Sequence, residues 1–166
     1  MIKQFIPQEF CLKCHGCCRF AKINSPWTPL FLKEEAGALA AEKLLDETMA
    51  SAGKIPLISN TGKEGGFICS FLNTGFNQCR IYRMRPFECQ LYPFLLNRQG
   101  SKVFLAGDFN CPFLKENSNT PAFKEYASFL TTYLNSPYYR KILNDNPKLL
   151  QAYNGVVNLS DLGLAL

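Results

Sequence analysis

The sequence predicts a small cysteine-rich α+β domain with short strands and flanking helices. Three observations predict it. Helical periodicity runs from Phe31 to about Met49 and returns beyond Thr120. The stretch between breaks into short apolar runs parted by turn-forming residues. Eight cysteines are spread from position 11 to position 111 of the 166 residues. With 47% hydrophobic residues an ordinary core is available, so the cysteines are not there to replace one.

In chain order, residues 11–27 read as a cysteine-rich loop ending at the Ser25-Pro26-Trp27-Thr28-Pro29 turn. From Phe31 to about Met49 good helix formers dominate, and Leu32, Ala36, Leu39, Ala40 and Leu44 recur at three- and four-residue steps. Glu34 and Glu35 stand in the first turn, where the helix dipole favours negative charge. Ser51–Gly53 ends that helix and Ile55–Ile58 reads as a short strand. A turn cluster over Asn60–Gly66 leads into Phe67–Leu72, a second strand that carries Cys69. Within Cys79–Tyr92, Pro86 opens a short helix because its missing N–H is not needed there, and Pro93 ends it. Phe94–Asn97 and Lys102–Ala106 flank Arg98–Ser101 as a hairpin. Beyond Thr120, Phe123, Tyr126, Ala127, Leu130 and Leu134 make one helical stripe, and Tyr139, Ile142 and Leu143 begin another. From Asn154 onward the chain reads as loosely held. The expected organisation is a cysteine-cluster metal-binding domain over 1–115, with a C-terminal helical extension over 116–166 packed on it.

The metal follows from the cysteines. No apolar run approaches the ~20 residues that a membrane helix needs. Met1–Phe10 has neither the apolar stretch nor the cleavage site of an export signal. The expectation is a cytoplasmic protein with no membrane partner, whose thiols stay reduced. Eight reduced thiols beside a single histidine point to a sulfur-dominated site. Such a site takes zinc or an iron–sulfur cluster, and not calcium, magnesium or manganese. Cys11, Cys14 and Cys17 follow one another with two residues between, a spacing that lets successive thiolates reach one metal. Cys18 follows at once. Neighbouring side chains diverge, so Cys17 is expected at the first centre and Cys18 at a second centre or in the core. Cys69, Cys79, Cys89 and Cys111 are too far apart to chelate without the fold. Cys111-Pro112 with the triple spacing imitates the bacterial ferredoxin pattern, which tilts the expectation toward an iron–sulfur cluster of the 4Fe–4S type.

The remaining chemistry-bearing residues have blander readings. The net charge of +5 falls to about +1 once eight thiolates and two divalent ions are counted, which argues against nucleic-acid binding. Arg80, Arg83 and Arg85 read as neutralising a thiolate-rich site. His15 reads as a solvent-facing turn residue, and Tyr82 and Tyr92 as a packed wall that excludes water. The sequence contains no Ser-His-Asp set and no glycine-rich phosphate loop.

The motifs CLKCHGCC, GFICSFLN and CRIYRMRPFECQLYPF, with the later Cys111, resemble the YkgJ-like cysteine-cluster family, CxxCxxCC, a zinc- or iron-chelating domain. The resemblance covers about residues 8–115; the helices from 121 lie outside it. It implies metal ligation by Cys11, Cys14, Cys17, Cys18, Cys69, Cys79, Cys89 and Cys111. Flagellin lysine methylases carry a related cluster, which implies an alternative role as an iron–sulfur-dependent transferase, such as a protein lysine N-methyltransferase. A metal- or cluster-carrying module that docks on a protein partner is the favoured expectation.

Overall fold

The computed structural model describes residues 2–62 and 65–165, so the expected turn over 60–66 lies partly outside the described residues, at Lys63 and Glu64. The chain divides into two compact units, Met1–Ile2 with Pro7–Gln90, and Lys3–Ile6 with Leu91–Leu166. Among the described residues no helix is long and apolar enough to cross a membrane. The fold is α+β, of short helices and small antiparallel sheets.

The first unit opens with α1 (Gln8–Lys13), which takes Cys11 onto a helix where a loop was expected. Pro7 precedes it, Glu9 lies in its first turn and Lys13 in its last, charges that complement the helix dipole. After β1 (Arg19–Phe20), the long helix expected over 31–49 is two: α2 (Lys33–Ala41) and α3 (Glu47–Ala52). Lys43, at φ 58°, closes α2, with Leu44 N donating to Leu39 O and Lys43 N to Ala40 O. Asp46 then starts α3, its Oδ1 accepting from Met49 N at 2.7 Å.

Strands β2 (Leu57–Ser59), β3 (Phe67–Cys69), β4 (Leu72–Asn73) and β5 (Gln78–Cys79) follow. One sheet runs β1-β3-β2; β4 and β5 form a hairpin. Gly66 is required at the start of β3: its φ is 74°, and a Cβ there would stand 2.7 Å from Phe20 O. A 3₁₀ turn over Tyr82–Met84 and α4 (Phe87–Leu91) complete the unit, α4 starting after Pro86 as expected. Its core gathers Phe31, Leu39, Ile55, Ile68, Phe71 and Ile81, with Cys69 buried among them and Cys18, Cys79 and Cys89 packed against it.

The second unit pairs β6 (Phe94–Gln99) with β7 (Lys102–Gly107), the predicted hairpin, turning at Gly100. After α5 (Pro112–Asn117) come α6 (Pro121–Leu134), capped by Thr120, and α7 (Pro137–Asp145). The end of the chain is not loosely held: β8 (Val157–Ala165) pairs antiparallel with β7. Phe94, Val103, Leu105, Leu130, Leu134 and Leu162 fill the core between sheet and helices. Phe5 meets the rings of Phe94, Phe113 and Phe123 edge-on and stacks on Tyr126.

Candidate metal centre

Seven of the eight cysteines belong to the first unit, and four of its elements bring five of them together. Cys69 N donates to Cys18 O at 3.0 Å, which continues the β1–β3 ladder by one residue and sets these two opposite each other. Directly opposed residues in an antiparallel pair share a face, so both thiols project to one side. Cys79 ends β5, opposite Leu72, and Cys89 is the third residue of α4. Cys17 sits on the turn before Cys18. Its thiol hydrogen-bonds that of Cys18, so the two do not diverge as expected. A turn, unlike a strand, lets consecutive side chains meet.

These thiols lie near enough for each to influence others of the set. The bond with Cys18 draws the Cys17 thiol down to about 7, helped by the Arg85 and Arg19 charges. Cys18, the partner that keeps its proton in that bond, is pushed up, with burial and the charges of Cys17, Cys69 and Cys89 adding to the effect. Burial pushes Cys69 up to about 11, and Cys79 adds to it. Burial likewise raises Cys79, where Cys17 also contributes. Cys89 is raised well above its ordinary range by burial, then by Cys69, Cys79, Glu88 and Cys17. Cys18, Cys69, Cys79 and Cys89 are thus held protonated by burial and their neighbours, while Cys17 is the thiol most ready to lose its proton. A bound thiophilic cation reverses that balance, because it takes the deprotonated sulfur as ligand.

Cys11 and Cys14 flank the end of α1, and a residue not singled out in the sequence holds them. Asn77, at φ 49°, donates through Nδ2 to the carbonyls of Cys11, Leu12 and Cys14, while its Oδ1 accepts from Arg19 at 3.1 Å. Asparagine tolerates the left-handed region better than most residues, and its place in a tight turn was the only sequence signal available. Cys111 lies in the second unit, buried, as the residue that starts α5. No disulfide joins the cysteines. Among the described residues, no three His, Cys, Asp or Glu side chains stand close enough to hold one metal ion.

The arginines divide. Arg85 lies over the Tyr82 ring at 3.9 Å, its Nε donates to Tyr82 O at 3.2 Å, and its charge reaches Cys17 and Cys79. One guanidinium nitrogen, Nη2, is buried with no hydrogen-bond partner among the described residues. Arg80 bonds Ser70 O, and its charge reaches Cys69 and Cys79. Arg83 and His15 are exposed. Tyr92 belongs to the second unit and donates to Asp108 at 2.8 Å.

The family described as CxxCxxCC, putative zinc- or iron-chelating domain, matches residues 10–112, a span that takes in all eight cysteines. The chain belongs to this family. No solved structure matches it. In this CxxCxxCC domain the donor chemistry fits a thiolate-bound metal: the neighbouring side chains are thiols, cationic arginines act on them, and a buried N–H donor lacks an acceptor among the described residues.

Proposed function

We propose that the chain is a cluster-carrying module, with an iron–sulfur cluster of the 4Fe–4S type held by cysteines drawn from Cys11, Cys14, Cys17, Cys18, Cys69, Cys79 and Cys89. The observation that carries the reading is the mutual influence of Cys17, Cys18, Cys69, Cys79 and Cys89, which come from separate elements yet act on one another. When bound, such a cluster supplies one-electron chemistry, tuned by hydrogen bonds to its sulfurs.

The chain's own residues do the remaining work. The β1–β3 ladder sets Cys18 beside Cys69. The core around Phe71 and Ile81 keeps water from their inner side. Arg85 offers its unpartnered Nη2–H to a sulfur acceptor. Such a donor suits any sulfur-ligated centre, and the two-residue rhythm of Cys11, Cys14 and Cys17 favours iron–sulfur over zinc. The module operates in the cytoplasm, where thiols stay reduced, and serves a protein partner.

Anaerobic purification tests this. A brown protein with iron and acid-labile sulfide in near-equal amounts is the expected result. A colourless protein loaded with zinc overturns the cluster in favour of a zinc site.

A further inference from the structure

The first unit carries a second feature, away from the arginines, where two paired chain segments part. Phe31 N donates to Gly53 O at 3.0 Å and Ile55 N to Pro29 O at 2.9 Å, so residues 29–31 and 53–55 run as an antiparallel pair. Beyond Ile55 the pair opens. Thr28 N turns back to Ser25 O at 3.1 Å, which takes residues 25–28 off the ladder, while Leu57–Ser59 continues as β2.

The edge of β2 on that side is unfilled. Ser70 N donates to Pro56 O and Asn60 N to Gly66 O, both at 2.9 Å, so the even-numbered residues face β3. By the alternation of an antiparallel strand, the N–H and C=O groups of Leu57 and Ser59 face the parted side. Among the described residues no strand pairs with them. The parting leaves a cavity of about 210 Å³, lined by Ile23, Thr28, Met49, Lys54, Pro56 and Leu57. Its one buried hydroxyl, Thr28 Oγ1, has no hydrogen-bond partner among the described residues, although Thr28 is only 4% exposed. Met49, in that lining, stands 41% exposed.

We infer that this edge is a binding site for an extended peptide segment of a partner protein, which adds to β2 as a further strand. The open amides of Leu57 and Ser59 supply the ladder, and the cavity takes one aliphatic side chain. Lys54, the one charged residue of the lining, pairs with a carboxylate of the docked segment. A second copy of this chain suits the edge less well, because its own β2, Leu57–Ser59, would bring no carboxylate to Lys54. Leu57 pairs with Cys69, and Cys69 with Cys18, so a docked strand continues the row that leads to the thiols. The inference does not depend on which metal those thiols hold.

A display library of random octapeptides, selected on the full-length chain, tests it. Enriched sequences should alternate aliphatic residues and contain an acidic one. Met49→Trp, which fills the cavity, and Ser59→Pro, which deletes an outward N–H that β3 does not use, should each weaken the selected peptides at least tenfold. Lys54→Glu should exchange the preference for an acidic residue for a basic one. In the unaltered chain, amide exchange at Leu57 and Ser59 should slow when a selected peptide is added, a readout that needs no variant to fold. Selection without such a pattern, peptides that leave both amides unprotected, or binding indifferent to Met49→Trp overturns the proposal. So does protection of these amides that rises with protein concentration alone as the mass doubles, since the occupant is then a second copy.

Discussion

Glu35 on α2 starts α4: one carboxylate oxygen accepts from Phe87 N at 2.7 Å, while the other accepts from Leu32 N at 2.9 Å. Glu88 returns the bond, accepting from Leu30 N at 2.5 Å. The two helices therefore cap each other's approaches, and Cys89 sits two residues beyond the capped amide.

Glu35→Ala should cost about 2–3 kcal/mol in urea denaturation, since two partly buried N–H groups lose a charged acceptor. The pH dependence runs in a defined direction. Burial raises the Glu35 carboxyl above its ordinary 4.5. The folded chain then binds this proton more tightly than the unfolded one, so stability falls as pH rises from about 4.5 through the raised value. Glu35→Gln should remove that part of the slope. An identical slope in both proteins would show that Glu35 ionises without cost.

Arg85 should govern how firmly metal is kept. Its buried Nη2 lacks a partner while its Nε and ring face are engaged by Tyr82. Arg85→Ala should lower metal retention against a chelator by about 10–100-fold, the usual cost of losing a residue that bonds to a ligand. Arg85→Lys should recover only part, because lysine lacks the planar fork. Equal retention in all three proteins would assign Arg85 to the Tyr82 contact alone.

Cys17 and Cys18 reverse the expectation from neighbouring positions. Their thiols meet, Cys18 feels the charges of Cys69 and Cys89, and Cys17 acts on Cys79 and Cys89. Serine at either position should remove the same metal, and the double variant should remove no more. Measured metal per chain that fell further in the double variant than in either single would assign the two cysteines to separate centres.

The residues the sequence revealed are those whose neighbours are close along the chain. Pro86 before α4, the hairpin around Gly100 and the helix that begins beyond Thr120 are local features, and each stands where expected. The break between α2 and α3 escaped because Lys43, not glycine, takes the left-handed position that ends α2. Strand β8 escaped because its pairing with β7 shifts register between Leu105 and Ala106, and Gly163 turns at φ 60°, so the strand shows no clean two-residue period. At the candidate metal centre the cysteines were legible from spacing, but which of them neighbour one another was not. The clasp by Asn77 joins residues more than sixty positions apart, and Glu35 reaches Phe87 over 52.

In the second unit, alkaline pH should act through Tyr126. Its hydroxyl donates to Lys3 O, and burial raises its pKa to about 12. The raised value means that the folded chain holds this proton more tightly than the unfolded one. The stability it contributes is complete below its ordinary 10.0 and is lost as pH climbs toward about 12. Tyr126→Phe keeps the ring contacts with Phe5 and Phe94 but should lose that decline, leaving a flatter profile of melting temperature over this range. Parallel profiles for the two proteins would mean that the hydroxyl ionises equally well folded and unfolded.

Asn77 joins its own backbone conformation to the segment that carries Cys11 and Cys14, and two substitutions separate the roles. Both Asn77→Gly and Asn77→Ala lose the bonds to the carbonyls of Cys11, Leu12 and Cys14 and the acceptor for Arg19. Glycine adopts φ 49° without strain, whereas alanine there costs about 1 kcal/mol more. Stability should therefore fall further for alanine than for glycine, while metal retention falls in both by a similar factor. The common loss measures the clasp that holds the end of α1, and the difference measures the strain. If the glycine variant kept metal as firmly as the original chain, α1 would be placed by its own residues, and the Asn77 side chain would serve only the turn in which it sits.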